Sequence, residues 1–245
     1  RKSMPAPPAL AYASAFAHIG ENTTMLKVTL NIRALRAVLV AVSTEETRYY
    51  LNGINLEFTP DGVTMCATDG HRMIVLRQPY GEHAPTGAHA SVIVPRDLVA
   101  KLKVRNKVVE ETTLTIGDDG RLTFEHAGEM FGGSRVDGTF PDYRRVVPQD
   151  LDGKLAQYNP AYLADFVKAR QELTGQKADR DGKSSPVVRY NGESPAVVDF
   201  AWGTGFQALG VIMPIRDRTD ATYYTWASAP AAAWPDATPA ASAAA

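Results

Sequence analysis

Apolar and polar positions alternate along Leu26–Asn31 (LKVTLN), then take helical spacing from Ile32 to Val42 (IRALRAVLVAV). Arg48–Arg77 (RYYLNGINLEFTPDGVTMCATDGHRMIVLR) follows as three strands joined by two tight turns, one of them at Asp69-Gly70. The predicted order is β-α-β-β-β. It returns between about His89 and Gly138: a strand in ASVIVP, a helix over Pro95–Lys107, then strands in TTLTIG, RLTFEHA and EMFGGSRVDG, with Asp118-Asp119-Gly120 turning the first hairpin. A looser third copy runs from Gly153 to Arg216. There KLAQYN is expected as a strand, Asn159 as N-cap and Pro160 as first residue of a helix ending near Gln171, and PVVRYN, AVVDFAW and FQALGVIMPI as strands.

One supersecondary unit recurring about every 60 residues predicts an α+β array in which neighbouring units share sheets and cover each other's apolar faces. Leu35, Leu39, Leu98, Leu102, Leu163, Phe166 and Val167 supply the buried helix faces. The other reading of the same pattern is that a common unit recurs by chance.

A chain of 245 residues with 44% hydrophobic composition can bury a substantial core. No apolar run is long enough to span a bilayer, and PPALAYASAFAHIGENTT lacks a signal peptide's layout, so a cytoplasmic protein is expected. The single cysteine, Cys66, excludes an internal disulfide framework and a Cys-x-x-Cys zinc knuckle.

The net charge of −1 conceals an asymmetry. Over the helix spans predicted above, Arg33 and Arg36 give +2; Arg96, Lys101, Lys103, Arg105 and Lys107 against Asp97 give +4; Lys168 and Arg170 against Asp165 give +1. The helices then carry +7 and the remainder −8, which suits helices facing a polyanion. For the first and third helices an ordinary solvated face explains the charge equally well. The density of the second favours nucleic acid, bound through phosphates and without sequence reading.

Five stretches, in order, resemble the bacterial sliding clamp, the beta subunit of DNA polymerase III: RYYLNGI (48–54), ATDGHRMIVL (67–76), VIVPRDLV (92–99), FPDYRRVVP (140–148) and GVIMPIR (210–216). The resemblance covers about Thr29–Arg216. It implies the DNA-clamp fold, with antiparallel sheets outside and helices lining a central hole around double-stranded DNA. It also implies a non-catalytic processivity factor without cofactor or metal, whose partners are the replicative polymerase, the clamp loader and other proteins bearing a clamp-binding peptide.

Carried over by position, the family's peptide pocket corresponds to Arg48, Leu51, Thr68, Gly70, His71, Met73, Pro141, Arg145, Val146, Val211, Ile212, Met213, Pro214, Ile215 and Arg216. Met73 stands where leucine is usual, a swap that keeps volume and apolarity. Tyr49 and Tyr50 match a tyrosine pair near DNA, and one strand is expected to show Leu51 to the pocket while its tyrosines lean toward DNA. Both tyrosines also read as ordinary strand residues. Cys66, Asp69 and His71 do not assemble a nucleophilic or metal site, because strand alternation and the turn scatter them. His18, His83, His89 and His126 stand singly.

The family has six such units per subunit, against three here. On that count residues 26–145 form a clamp domain resembling the middle one, 146–216 half a domain resembling the end of the last, and 1–25 and 217–245 an extension and a low-complexity tail. Twelve units close the family's ring, so a ring-forming homotetramer is expected, with the third unit pairing onto the first unit of the next chain. The alternative function is a non-encircling decoy or adaptor that competes for clamp-binding peptides. Tyr223, Tyr224 and Trp226 in the tail are candidates to cover the pocket.

Overall fold

The computed structural model describes residues 25–80, 91–104, 111–177, 182 and 185–215. The strands are β1 (Leu26–Asn31), β2 (Gly53–Thr59), β3 (Gly62–Thr68), β4 (Arg72–Pro79), β5 (Ser91–Pro95), β6 (Glu111–Ile116), β7 (Arg121–His126), β8 (Glu129–Ser134), β9 (Val187–Arg189), β10 (Ala196–Asp199) and β11 (Gln207–Ile212). The helices are α1 (Ile32–Leu39), α2 (Arg96–Ala100) and α3 (Pro160–Thr174). Two antiparallel sheets form, in the orders β1-β6-β7-β8 and β5-β2-β3-β4-β11-β10-β9. Mixed helices and antiparallel sheets make the fold α+β.

The first two units interlock by exchanging their leading strands. β1 pairs with β6 of the second unit, placing Val28 opposite Leu114, and β5 pairs with β2 of the first unit, placing Val94 opposite Ile54. All four residues are buried. A one-residue slip would turn these side chains out of the core, so the alternation fixes the register.

α1 begins where the Asn31 side chain accepts a hydrogen bond from the Ala34 amide at 3.1 Å. It is buried on most of its surface, including Arg33, because the sheets cover one side and α3 packs on another. α3 follows its sequence signals closely: Asn159 Oδ1 accepts from the Ala161 amide at 2.9 Å, and Gly175 closes the helix in the left-handed region at φ +67°. Phe166 of α3 is fully buried against the backbone of β11. A β-carbon on Gly210 would stand 2.3 Å from its ring, so glycine at 210 is what lets helix and strand approach.

Four expectations need correction. The second helix ends after one turn: Lys101 caps it, its amide donating to Leu98 O and Val99 O, and the chain from there to Val104 carries no further helix. Lys154–Asn159 forms no strand, only a bridge between Gln157 and Ile215. Tyr49–Leu51 is a turn of 3-10 helix ahead of β2, closed by Leu51 N–H to Arg48 O at 2.8 Å, so the tyrosines are not strand residues. Finally, the third unit pairs within its own chain, β11 against β4, with Val211 opposite Met73. That occupies the edge expected to receive a neighbour.

The charge count changes with the helix ends. α1 keeps +2, α2 balances Arg96 against Asp97, and α3 gains Glu172 and balances to zero, leaving +2 on the observed helices rather than +7.

Candidate functional site

The turn between β3 and β4 is built by its own side chains. Thr68 Oγ1 accepts from the Gly70 amide at 3.0 Å and donates to Arg72 O at 2.8 Å, while Asp69 Oδ1 accepts from the amides of His71 and Arg72, each at 2.9 Å. Gly70 sits at φ +92°, and a β-carbon there would lie 2.6 Å from Arg48 Nη1. Arg48 can therefore lie across the turn, steadied by two 2.8 Å hydrogen bonds to Glu45.

Arg72 and His71 tie this turn to α3. The Arg72 side chain pairs with Asp69, donates to Val40 O at 2.9 Å, places Nε 2.9 Å from Asp165 Oδ2, and lies 4.8 Å from the centre of the Tyr162 ring. His71 stacks on the other part of that contact, its ring 5.7 Å from Tyr162 and inclined by 14°. Burial holds the Asp165 carboxyl above the ordinary aspartate value even though Arg72 opposes the shift. From the other direction, the Met213 amide donates to His71 O at 2.9 Å, continuing β11 past the turn.

A small apolar cluster lies beneath, separate from the main core: Cys66, Met73, Tyr143 and Val211, with Val75, Phe140, Val147 and Leu209 around it. Tyr143 belongs to a 3-10 turn over Tyr143–Val146. Its hydroxyl donates to Glu57 Oε2 at 3.1 Å, and Arg144 makes two hydrogen bonds to the same carboxylate at 3.1 and 2.6 Å while stacking 4.6 Å over the Tyr143 ring. Burial, reinforced by the Glu57 charge, pushes both the Tyr143 hydroxyl and the Cys66 thiol upward, so each stays protonated at neutral pH.

These pieces enclose a cleft of about 280 Å³. Of the fifteen expected pocket residues, ten line it: Arg48, Leu51, Thr68, Gly70, His71, Met73, Pro141, Val146, Val211 and Met213. Arg145 instead points to Asp142 at 3.3 Å, Ile212 is buried in the main core, Pro214 and Ile215 lie past the lining, and Arg216 is outside the described residues. Tyr50, Arg72, Asp142 and Tyr143 also line the cleft and were missed. All four fall inside the quoted motifs, so adjacency was the available signal. The result is a largely apolar trough, with Arg48 and Arg72 against Asp142 among its polar lining, of a size for one or two large side chains of a peptide.

The expected DNA-facing residues divide. Arg36 spans to α3, bonding Glu172 at 2.7 and 3.1 Å and Leu102 O at 3.1 Å. Buried Arg33 reaches Glu172 O at 3.4 Å and fills the space a side chain at Gly175 would need. Arg170 donates to Phe200 O and Trp202 O, both at 2.9 Å, beneath the Trp202 ring. These three hold elements together. Lys101, Lys103 and Lys168 are exposed, Arg96 is half-exposed beside Asp97, and Arg105 and Lys107 lie outside the described residues. Tyr49, 55% exposed, meets Tyr50 edge-on at 5.9 Å, and the chain at Gly138 passes over both. A second, more polar cleft of about 490 Å³ opens between α1 and the end of α3, with Arg33, Arg36, Lys103 and Lys177 against Glu172.

Residues 25–142 match the family described as DNA polymerase III beta subunit, central domain. The beta sliding clamp of Vibrio cholerae is 37% identical over 192 residues, covering 74% of this chain and 51% of that protein. The Caulobacter vibrioides beta sliding clamp is 37% identical over 153 residues, covering 60% and 40%. The chain thus spans about half or less of these relatives' length. In fold it is similar to the crystal structure of the DNA polymerase III subunit beta from Pseudomonas aeruginosa, with a TM-score of 0.61 at 22% identity, covering 84% of this chain and 70% of the other. Residues 25–142 are thus similar to the central domain of the bacterial sliding clamps, and the likeness to whole clamps reaches about half of their length.

Proposed function

We propose that this chain is a cytoplasmic, non-catalytic sliding clamp that encircles duplex DNA, tethers a replicative polymerase for processive synthesis, and captures partners by a linear peptide in the 280 Å³ cleft. The observation that carries the reading is the convergence of ten expected residues on one apolar trough from four separate stretches of chain, next to a strand join that α3 braces. Each large apolar side chain a peptide buried there would contribute about 1.5–3 kcal/mol. Tethering converts polymerase rebinding into an intramolecular event at high effective concentration.

On the helix side, exposed Lys101, Lys103 and Lys168, with Lys177 at the polar cleft, supply salt-sensitive phosphate contacts. Because β4 is occupied by β11, ring closure falls to other edges: β8 and β9 each end a sheet and would join head to tail between copies. Four copies complete the family's count of units. Retention on nicked circular duplex DNA, lost when the circle is linearised, tests the topological link. Retention unaffected by linearisation overturns it, and a stable monomer by solution mass measurement favours the non-encircling decoy.

A further inference from the structure

We propose that the cleft is regulated from within: residues 217–226 of the same chain, DRTDATYYTW, occupy it and compete with incoming peptides. This rests on the cleft being a peptide site but not on which partner uses it.

Three observations support this occupant. The first is delivery. Met213 lines the cleft, its amide is held by His71 O at 2.9 Å, and Ile215 is bridged to Gln157, so the chain leaves the described core within about 8 Å of the cleft wall. Tyr223 is eight residues further, a reach of at most about 29 Å when extended, ample to fold back. The second is chemistry. Leu51, Met73, Val146, Val211 and Met213 make an apolar lining, with Val146 and Met213 42% and 39% exposed. Tyr223, Tyr224 and Trp226 are the amphipathic aromatic anchors such troughs take, burying large area at small entropic cost. The third is charge: Asp217 and Asp220 precede the aromatics, and Arg48 lines the cleft. A short connection gives the segment an effective concentration in the millimolar range, so even weak intrinsic affinity fills the cleft.

The test uses the full chain and a fluorescent peptide of residues 217–228, DRTDATYYTWAS, followed by anisotropy. The unaltered chain should bind it weakly. The triple substitution Tyr223→Ala, Tyr224→Ala, Trp226→Ala, which changes no residue of the described core, should bind it about tenfold tighter, as expected when nine tenths of the cleft is self-occupied. Adding Met213→Asp to the triple variant should abolish that gain; Val146→Arg serves the same purpose if Met213→Asp disturbs folding. Equal affinity for the unaltered and triple-substituted chains overturns occupancy, absence of binding to either overturns the fit, and binding that survives both cleft substitutions places the peptide elsewhere. A difference that disappears on dilution of the protein replaces occupancy by the chain's own segment with exchange between copies. Failure of the DNA-retention assay leaves all of these readouts standing, so the two proposals fail separately.

Discussion

The interlocked pair of units and the third unit are held by different means. In the pair, β1 and β5 each complete the other unit's sheet, so neither half has its own leading strand. The third unit's leading segment makes one bridge, and the unit depends on the β4–β11 seam, on Phe166 against Gly210, and on the ion pairs Arg36–Glu172 and Arg72–Asp165. One buried core runs through both regions, but exchange is expected to build cooperativity into the first and docking to let the second separate. The cleft lies where the two meet, lined by Met73 on one side of the seam and Val211 on the other.

The largest effect should come from the docked side. Phe166 is fully buried and its ring also meets Phe200 at 6.0 Å, so Phe166→Ala should destabilise by about 3–5 kcal/mol in urea unfolding. If the contrast holds, hydrogen exchange will quicken in α3 and β9–β11 while amides of β1, β6 and β7 keep their protection. Uniform loss of protection would show that docking and exchange give one cooperative unit.

What was legible in the sequence follows the same division. Strand alternation located β1 residue for residue, and Asn159, Pro160 and Gly175 are local signals that bound α3. The extent of α2 was not legible, because Leu98, Val99 and Leu102 satisfy a helical period until Val104 breaks it. Nor was the role of Arg33 and Arg36: as sequence they are helix-borne positive charge, and only contact with Glu172, 136 residues beyond Arg36, makes them braces. The cleft was legible as motifs. Met73 and Val211 of its floor were named, but Tyr143 was not, because its place depends on a hydroxyl bond to Glu57, 86 residues away.

Arg72 connects the seam to the cleft, so substituting it sharpens the comparison. Arg72→Met removes a guanidinium only 12% exposed from contacts with Asp69, Asp165, Val40 O and Tyr162, leaving two carboxylates without their cation. A loss of about 3 kcal/mol is expected. Cys66, the sole cysteine and part of the cleft floor, should then react faster with a thiol reagent under native conditions. An unchanged thiol rate alongside lost stability would mean that the seam opens without the cleft.

Asp165 gives the smallest effect and the finest discrimination. Its carboxyl is held above the usual aspartate value chiefly by burial, with Arg72 pulling the other way. The folded state therefore binds this proton more tightly than the unfolded chain does. The corresponding stability is fully present below about pH 3.9, the unfolded value, and is lost as pH rises through the raised folded value. Asp165→Asn removes that dependence. The stability difference, parent minus variant, should fall with rising pH across this window and stay flat near neutrality, where the substitution should cost no more than about 1 kcal/mol. Urea midpoints measured from pH 3 upward decide the matter. A difference that grows with pH would mean that attraction to Arg72 outweighs burial, making the seam an electrostatic lock rather than a packed surface that tolerates an ion pair.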